Sequence, residues 1–299
     1  MIDIVAQTKH CQKKILFCEP DKRILQAVQE LKRHGIQPIL LGTKEQYETH
    51  GDIAGIEILP ITDAHARAYY ARRKHKGISL EDAQKASLEP MTHAILLLAE
   101  GKVDGVVAGA SWPTSQTLKP ALQLLKKDFV SSYFLINAQE QTYLFTDCAM
   151  NIAPSAEELV HIAKNAAREA EKLGIPARIG MLSFSTLGSA QHKRVSTVAE
   201  ATQKLVQEGY DVEGEIQADA ALNPAIAEKK GGRGNATILV FPNLDAANIG
   251  YKLVQHFGKV ELTGPLLSGL QRPVTDLSRG ASTEEIIRAG IYTAYQSMQ

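Results

Sequence analysis

Near the end of the chain, Pro273-Val274-Thr275-Asp276-Leu277-Ser278-Arg279-Gly280-Ala281-Ser282-Thr283 sets a hydroxyl beside a guanidinium in a glycine-bearing loop. A guanidinium offers a fork of donors matched to phosphate oxygens and keeps its charge. Glu285 follows seven residues after Ser278, at the start of the last helix. Such a trio suits movement of a group to or from phosphate: the cation steadies an oxyanion and the carboxylate is placed to take a proton. Ser282 and Glu285 also stand at the spacing of a capping box, which gives the carboxylate a second use on the N-cap amide. A helix N-terminus attracts negative charge as well. Both readings of Glu285 stay open, and they are compatible.

Those residues need elements to hold them. Short apolar runs rich in β-branched residues, at 14–18, 37–41, 56–59 and 105–107, alternate with helical patterns at 21–34, 64–74, 90–100 and 116–125. Asp21 is placed to cap the first of these helices. Leu25, Val28 and Leu31 give its period and Gly35 its stop. After Phe134–Leu135 a polar turn at 137–141 interrupts the pattern, and a strand at 142–146 follows. Ser155 and Glu158 then open a long helix with another capping box. A second series runs through 178–182, 192–208, 213–217, 237–241 and 246–257. The alternation predicts an α/β fold with mostly parallel strands and a domain change near residue 140.

In open α/β sheets, ligands collect at the carboxyl ends of strands. Ser183-Phe184-Ser185-Thr186-Leu187-Gly188-Ser189 lies just past such an end, and its hydroxyls and amides suit an anion or serve as helix caps. Asn243 and Asn248, and likewise Gln217 and Asp219, flank other strand ends and carry the same two readings. The basic run Arg73-Lys74-His75-Lys76-Gly77 taken alone reads as a solvated helix end. Lys229-Lys230-Gly231-Gly232-Arg233-Gly234 follows a helix and precedes a strand, the wrong order for a phosphate loop, and reads as a connection.

Thirty-three basic and 33 acidic residues leave no net charge, so no broad field draws the chain to nucleic acid or an anionic membrane. No apolar run approaches a bilayer span. The start, from Met1 to Ala6, shows no secretory pattern. Cys11, Cys18 and Cys148 form no metal-binding spacing and fit packing in a reducing compartment, so the expected location is cytoplasmic. GxGxxG, GxxxxGK[ST] and HExxH are missing, which removes the local signatures of dinucleotide, nucleoside-triphosphate and zinc-hydrolase chemistry.

Read in order, the block around Ser278-Arg279, the segments 238–252 and 264–270, the Met181–Ala190 segment and Gln217-Ala218-Asp219-Ala220-Ala221 resemble the phosphate acetyltransferases (phosphotransacetylases), within the phosphate acetyl/butyryltransferases. The similarity runs from about Ile15 to the C-terminus. It implies two domains of three-layer α/β/α architecture with an interdomain cleft: residues 1–140 with a returning helix at 285–299, and residues 141–284. It implies the reaction acetyl-CoA + phosphate = acetyl phosphate + CoA by direct attack of the CoA thiolate in a ternary complex. Coenzyme A is then a substrate, no tightly bound cofactor or metal is used, and the expected assembly is a homodimer.

Carried over by position, Arg279 faces the transferring phosphate, Ser278 the carbonyl oxygen, and Glu285 the thiol. The family's usual residue there is aspartate, so this chain reaches one methylene further. Ser185, Thr186, Gly188, Asn243 and Asn248 are the implied substrate contacts, and Arg73 the contact to the phosphate-bearing end of the coenzyme. Lys119 stands where arginine is usual and gives up bidentate geometry. Trp112 replaces a small polar residue after Gly109 and either lines the pocket or packs beneath it. The alternatives are a propionyl or butyryl transferase, or a catalytically impaired acetyl-CoA-binding regulatory protein.

Overall fold

A computed structural model describes residues 3–138 and 141–299. Met1 and Ile2 of the N-terminal reading, and Gln139 and Glu140 of the polar turn, lie outside the described residues. In chain order the first stretch holds α1 (Ile4–Thr8), β1 (Lys14–Phe17), α2 (Lys22–His34), β2 (Gln37–Leu41), α3 (Lys44–Glu48), β3 (Glu57–Leu59), α4 (Ala66–Arg73), α5 (Leu80–Ser87), α6 (Pro90–Ala99), β4 (Gly105–Ala108) and α7 (Thr114–Leu124). Next come β5 (Lys126–Ala138), β6 (Gln141–Thr146), α8 (Ala156–Lys172), β7 (Ile179–Leu182), α9 (Lys193–Gln207), β8 (Val212–Ile216), α10 (Ala218–Leu222), α11 (Pro224–Lys230), β9 (Ile238–Val240), α12 (Leu244–Phe257) and β10 (Glu261–Leu270). The chain closes with β11 (Val274–Asp276) and α13 (Thr283–Gln296).

These elements gather into two compact units, Asp3–Asp128 with Leu270–Gln299, and Phe129–Gly269. The sequence put the first break near residue 140 and returned only 285–299. The breaks instead fall close to the start of β5 and the end of β10, because those two strands are neighbours in the sheet of the second unit.

In the first unit the strands run β3-β2-β1-β4-β11, every pair parallel. Ile15, Leu16 and Phe17 are wholly buried, as expected of a central parallel strand covered on both faces. Helix α2 starts where the Asp21 carboxylate accepts the Arg23 amide, and it stops at Gly35 in the left-handed conformation. Its buried stripe is Ile24, Leu25, Ala27, Val28 and Leu31. Helix α13 packs along it, and Gly290 makes that possible: a Cβ there would come within 2.6 Å of Leu31 Cδ1. Because the five strands are parallel, the segments after β1, β4 and β11 all leave from one edge of the sheet.

The second unit has the order β10-β5-β6-β9-β7-β8. Strands β5 and β6 are antiparallel, whereas β6/β9, β9/β7 and β7/β8 are parallel. Its core includes Phe134, Ile136, Phe145, Leu182, Ile216 and Leu239, with Phe134 and Tyr251 stacked at 4.3 Å between ring centroids. The capping box of Ser155 and Glu158 opens α8 as the sequence predicts.

Candidate active site

In the first unit the carboxyl ends of β1, β4 and β11 bring three loops to one edge. Behind β11, the Leu277 amide donates to the Ala108 carbonyl at 2.6 Å and continues the ladder one residue past β11. The chain then turns outward, so that Ser278, Arg279 and Gly280 are exposed. The turn is closed by the Ala281 amide on the Ser278 carbonyl (2.9 Å), while the Gly280 amide donates to Ser278 Oγ (3.3 Å). The Arg279 guanidinium makes no hydrogen bond or ion pair among the described residues, so its donors are available to a ligand. Ser282 caps α13, its amide donating to Glu285 Oε2 (2.8 Å) and its Oγ accepting from the Glu285 amide (3.2 Å). The capping box read from the sequence is present, and Glu285 is held at the mouth of the helix beside the Ser278–Arg279 turn.

Three charged groups that sequence reasoning passed over organise this edge. Glu19, 1% exposed, follows β1 and collects four amides: Gly109 (2.8 Å) and Ala110 (3.1 Å) on Oε2, Ser111 (2.7 Å) and Trp112 (3.0 Å) on Oε1. It fixes the loop between β4 and α7, and Trp112 sits half-buried on it. Arg23, at the start of α2, reaches the carbonyls of Ala110, Arg279 and Ala281. Asp276, the last residue of β11, is 2% exposed, and its Oδ1 has no hydrogen-bond partner among the described residues. Burial pushes its carboxyl up to about 6. The hydroxyls of Thr114 and Thr117 pull the other way, and the negative charge of Glu19 adds to the rise. Glu19 and Arg23 lie in the charge run Cys18-Glu19-Pro20-Asp21-Lys22-Arg23 at the carboxyl end of an apolar strand, where nothing marks which charges turn inward.

Arg73 ends α4 in the same unit, partly buried, with a buried Nε that finds no partner among the described residues. Lys119 is exposed on α7, one residue before Pro120 inside that helix. Thus Arg73, Lys119, Ser278, Arg279 and Glu285 all belong to the first unit.

The remaining predicted residues belong to the second unit. Ser185 is wholly buried: its Oγ donates to Glu215 Oε1 (3.0 Å), accepts from the Ala190 amide (3.1 Å) and meets Ser189 Oγ at 3.2 Å. Gly188 donates its amide to Glu215 Oε1 (2.6 Å). Thr186 Oγ1 accepts from the Gln217 amide (3.0 Å). Glu215 on β8 therefore organises the loop after β7 as Glu19 organises the loop after β4. The Ser185 hydroxyl is occupied inside that loop, while Gly188 is exposed at its tip. Asn243 caps α12 through the Ala246 amide (2.9 Å), and Asn248 Nδ2 lies 3.4 Å from the Cys148 carbonyl. Both asparagines have structural partners and remain half-buried.

A family model described as phosphate acetyl/butaryl transferase matches residues 1–294. The chain belongs to this family. A phosphate acetyltransferase of Bacillus subtilis (strain 168) is 38% identical over 307 residues, covering 95% of this chain and 95% of the relative. Among solved structures, a phosphotransacetylase from Streptococcus pyogenes superposes with a TM-score of 0.90 at 36% identity, covering 99% of this chain and 97% of that one. A phosphotransacetylase from Staphylococcus aureus gives a TM-score of 0.86 at 35% identity, with 98% and 97% covered. The similarity to these transferases spans both units, so it covers the Ser278–Arg279 turn and the Glu215-organised loop alike.

Proposed function

We propose that this chain is a phosphate acetyltransferase, catalysing acetyl-CoA + phosphate = acetyl phosphate + CoA. The observation that carries the reading is the turn after β11. In a chain related along its whole length to such enzymes, that turn presents an exposed hydroxyl and a guanidinium unpaired among the described residues, beside a helix-mouth carboxylate. In the thioester-forming direction, Glu285 takes the proton of the coenzyme thiol. The sulfur attacks the carbonyl carbon of acetyl phosphate, a C–S bond forms, and the bond from carbon to the bridging oxygen breaks. The phosphate departs with that electron pair. Arg279 neutralises the charge gathering on it, and Ser278 donates to the carbonyl oxygen. With both substrates aligned in a ternary complex the attack is effectively intramolecular, and no acyl-enzyme is required.

Arg73 and Lys119 are assigned to the coenzyme, and Ser185, Thr186, Gly188, Asn243 and Asn248 to substrate contact. Ser185, buried with its hydroxyl on Glu215, acts by shaping its loop. Coenzyme A enters as a substrate, and the reaction scheme calls on no bound cofactor. A homodimer is supported by a stripe on α12, where Ile249, Leu253 and Phe257 stand four residues apart and exposed, Phe257 at 80%. A cytoplasmic location agrees with the free cysteines and the coenzyme substrate. Among the described residues no helix is long and apolar enough to cross a membrane.

The test is thioester formation from acetyl phosphate and CoA by the purified full chain, followed by absorbance. Propionyl and butyryl phosphate serve as competitors. Faster turnover of a longer acyl phosphate would move the assignment to that acyl group. CoA binding without turnover of any of the three would make the chain an acetyl-CoA-binding regulatory protein.

A further inference from the structure

Arg23 spends its whole guanidinium on the site. Nε donates to Asp21 Oδ1 (3.0 Å) and Nη2 to Asp21 Oδ2 (2.7 Å), a bidentate pair that fixes the plane of the group. Asp21 is itself anchored as the cap of α2, its Oδ1 accepting the Arg23 amide at 2.7 Å. With that plane set, Nη1 reaches the Arg279 carbonyl (3.0 Å) and the Ala281 carbonyl (2.8 Å), and Nη2 reaches the Ala110 carbonyl (3.1 Å). One side chain thus binds the loops after β1, β4 and β11. The Arg279 carbonyl fixes the peptide plane from which the Arg279 side chain departs. Other hydrogen bonds to this turn are the Leu277 amide on the Ala108 carbonyl, the turn's own internal bonds, and the Ser282–Glu285 cap of α13.

We infer that Arg23 is a positioning residue for acyl transfer, aiming Ser278 and Arg279 by gripping the main chain of their turn. The inference rests on the proposed activity, since it concerns the same site. Arg23 bonds the turn through backbone carbonyls, so its effect falls on orientation rather than on ground-state affinity. A misplacement of about 1 Å at a reacting centre costs on the order of 100-fold in rate. Lysine cannot replace the fork: one ammonium cannot hold Asp21 in a plane and span three carbonyls.

The experiment compares wild type, Arg23→Ala and Arg23→Lys in the acetyl phosphate and CoA assay, with hydrogen exchange read by mass spectrometry. Arg23→Ala is expected to lower kcat about 100-fold with KM for acetyl phosphate within about threefold, and added guanidinium chloride at millimolar concentration recovers about tenfold. Arg23→Lys, which keeps charge and bulk, is expected to lose about tenfold at an unchanged melting temperature. Amides of residues 277–282 exchange faster in both variants, while those of α8 in the second unit do not change. A kcat within about threefold of wild type in both variants overturns the inference. So does a loss that guanidinium leaves untouched while exchange at 277–282 stays as in wild type. Should Arg23→Ala fail to fold, Arg23→Lys decides by the same criteria. If wild type makes no thioester, the proposed function falls, and exchange at 277–282 alone decides whether Arg23 holds the turn.

Discussion

Replacing Asp276 by asparagine should relieve a destabilising charge, and the size of the effect can be worked out. The carboxyl has an ordinary value of 3.8 and is pushed up to about 6 in the folded protein. Between those values the unfolded chain has released its proton and the folded protein still keeps it. The unfolded state therefore binds fewer protons, and stability falls as pH rises through that window. Above it the penalty is complete, and at about 1.4 kcal/mol for each pH unit it amounts to roughly 3 kcal/mol. Asparagine at 276 has no such slope. The useful quantity is the stability gap between variant and wild type at pH 8 minus the same gap at pH 4. That difference cancels the packing cost of the amide, and it cancels the contribution of Asp147, whose carboxyl is also raised by burial in both proteins. It is expected to favour the variant by about 2–3 kcal/mol. With urea slopes of roughly 1–3 kcal/mol per molar, this moves the midpoint gap by about 1 M. Urea unfolding at the two pH values measures it. A gap that does not change with pH, or that moves against the variant at pH 8, would refute the argument that Asp276 is ionised there at a cost.

Further outcomes are expected at the same edge. Arg279→Ala should cut turnover by about 100-fold or more, since the proposed role sets that charge where charge develops; steady-state kinetics with near-normal kcat would contradict the role. Glu285→Gln should lower kcat far more than it lowers the melting temperature, because glutamine still accepts the Ser282 amide; equal losses would make the residue a cap alone. Glu19→Gln should destabilise by about 3 kcal/mol or more, because an amide turns an NH2 towards amides that a carboxylate accepts; unaltered chemical denaturation would count against the four-amide grip. Lys119→Arg should lower KM for CoA without moving kcat, as a fork replaces a point charge, and unchanged kinetics would take Lys119 out of the coenzyme site.

Much of the fold was legible because its signals are local. Asp21, the Leu25–Val28–Leu31 period and Gly35 define α2 to the residue, and Ser282 with Glu285 places the start of α13. No comparable local sign marks β10, where Gly264, Pro265 and Gly269 dilute the strand pattern. It also hid the start of β5, since Lys126, Lys127 and Asp128 read as surface. The Ser278–Arg279 turn could be noticed from its residue types and singled out through the family resemblance. The groups that hold it could not. Glu19 and Glu215 look like ordinary surface carboxylates until folding buries them, and Arg23 looks like one more charge on an exposed helix face. Most of their partners are backbone amides and carbonyls, which carry no signature in a sequence.

The amides that Glu19 gathers after β4 have a further consequence. Unsatisfied N–H groups at a strand end would wait for a substrate anion to order them, and the loop would reshape with every cycle of binding and release. Here an internal carboxylate fills that place permanently, as Glu215 does after β7. The empty and the loaded enzyme can therefore share one loop conformation, and little ordering entropy is left to be spent when an acyl phosphate arrives.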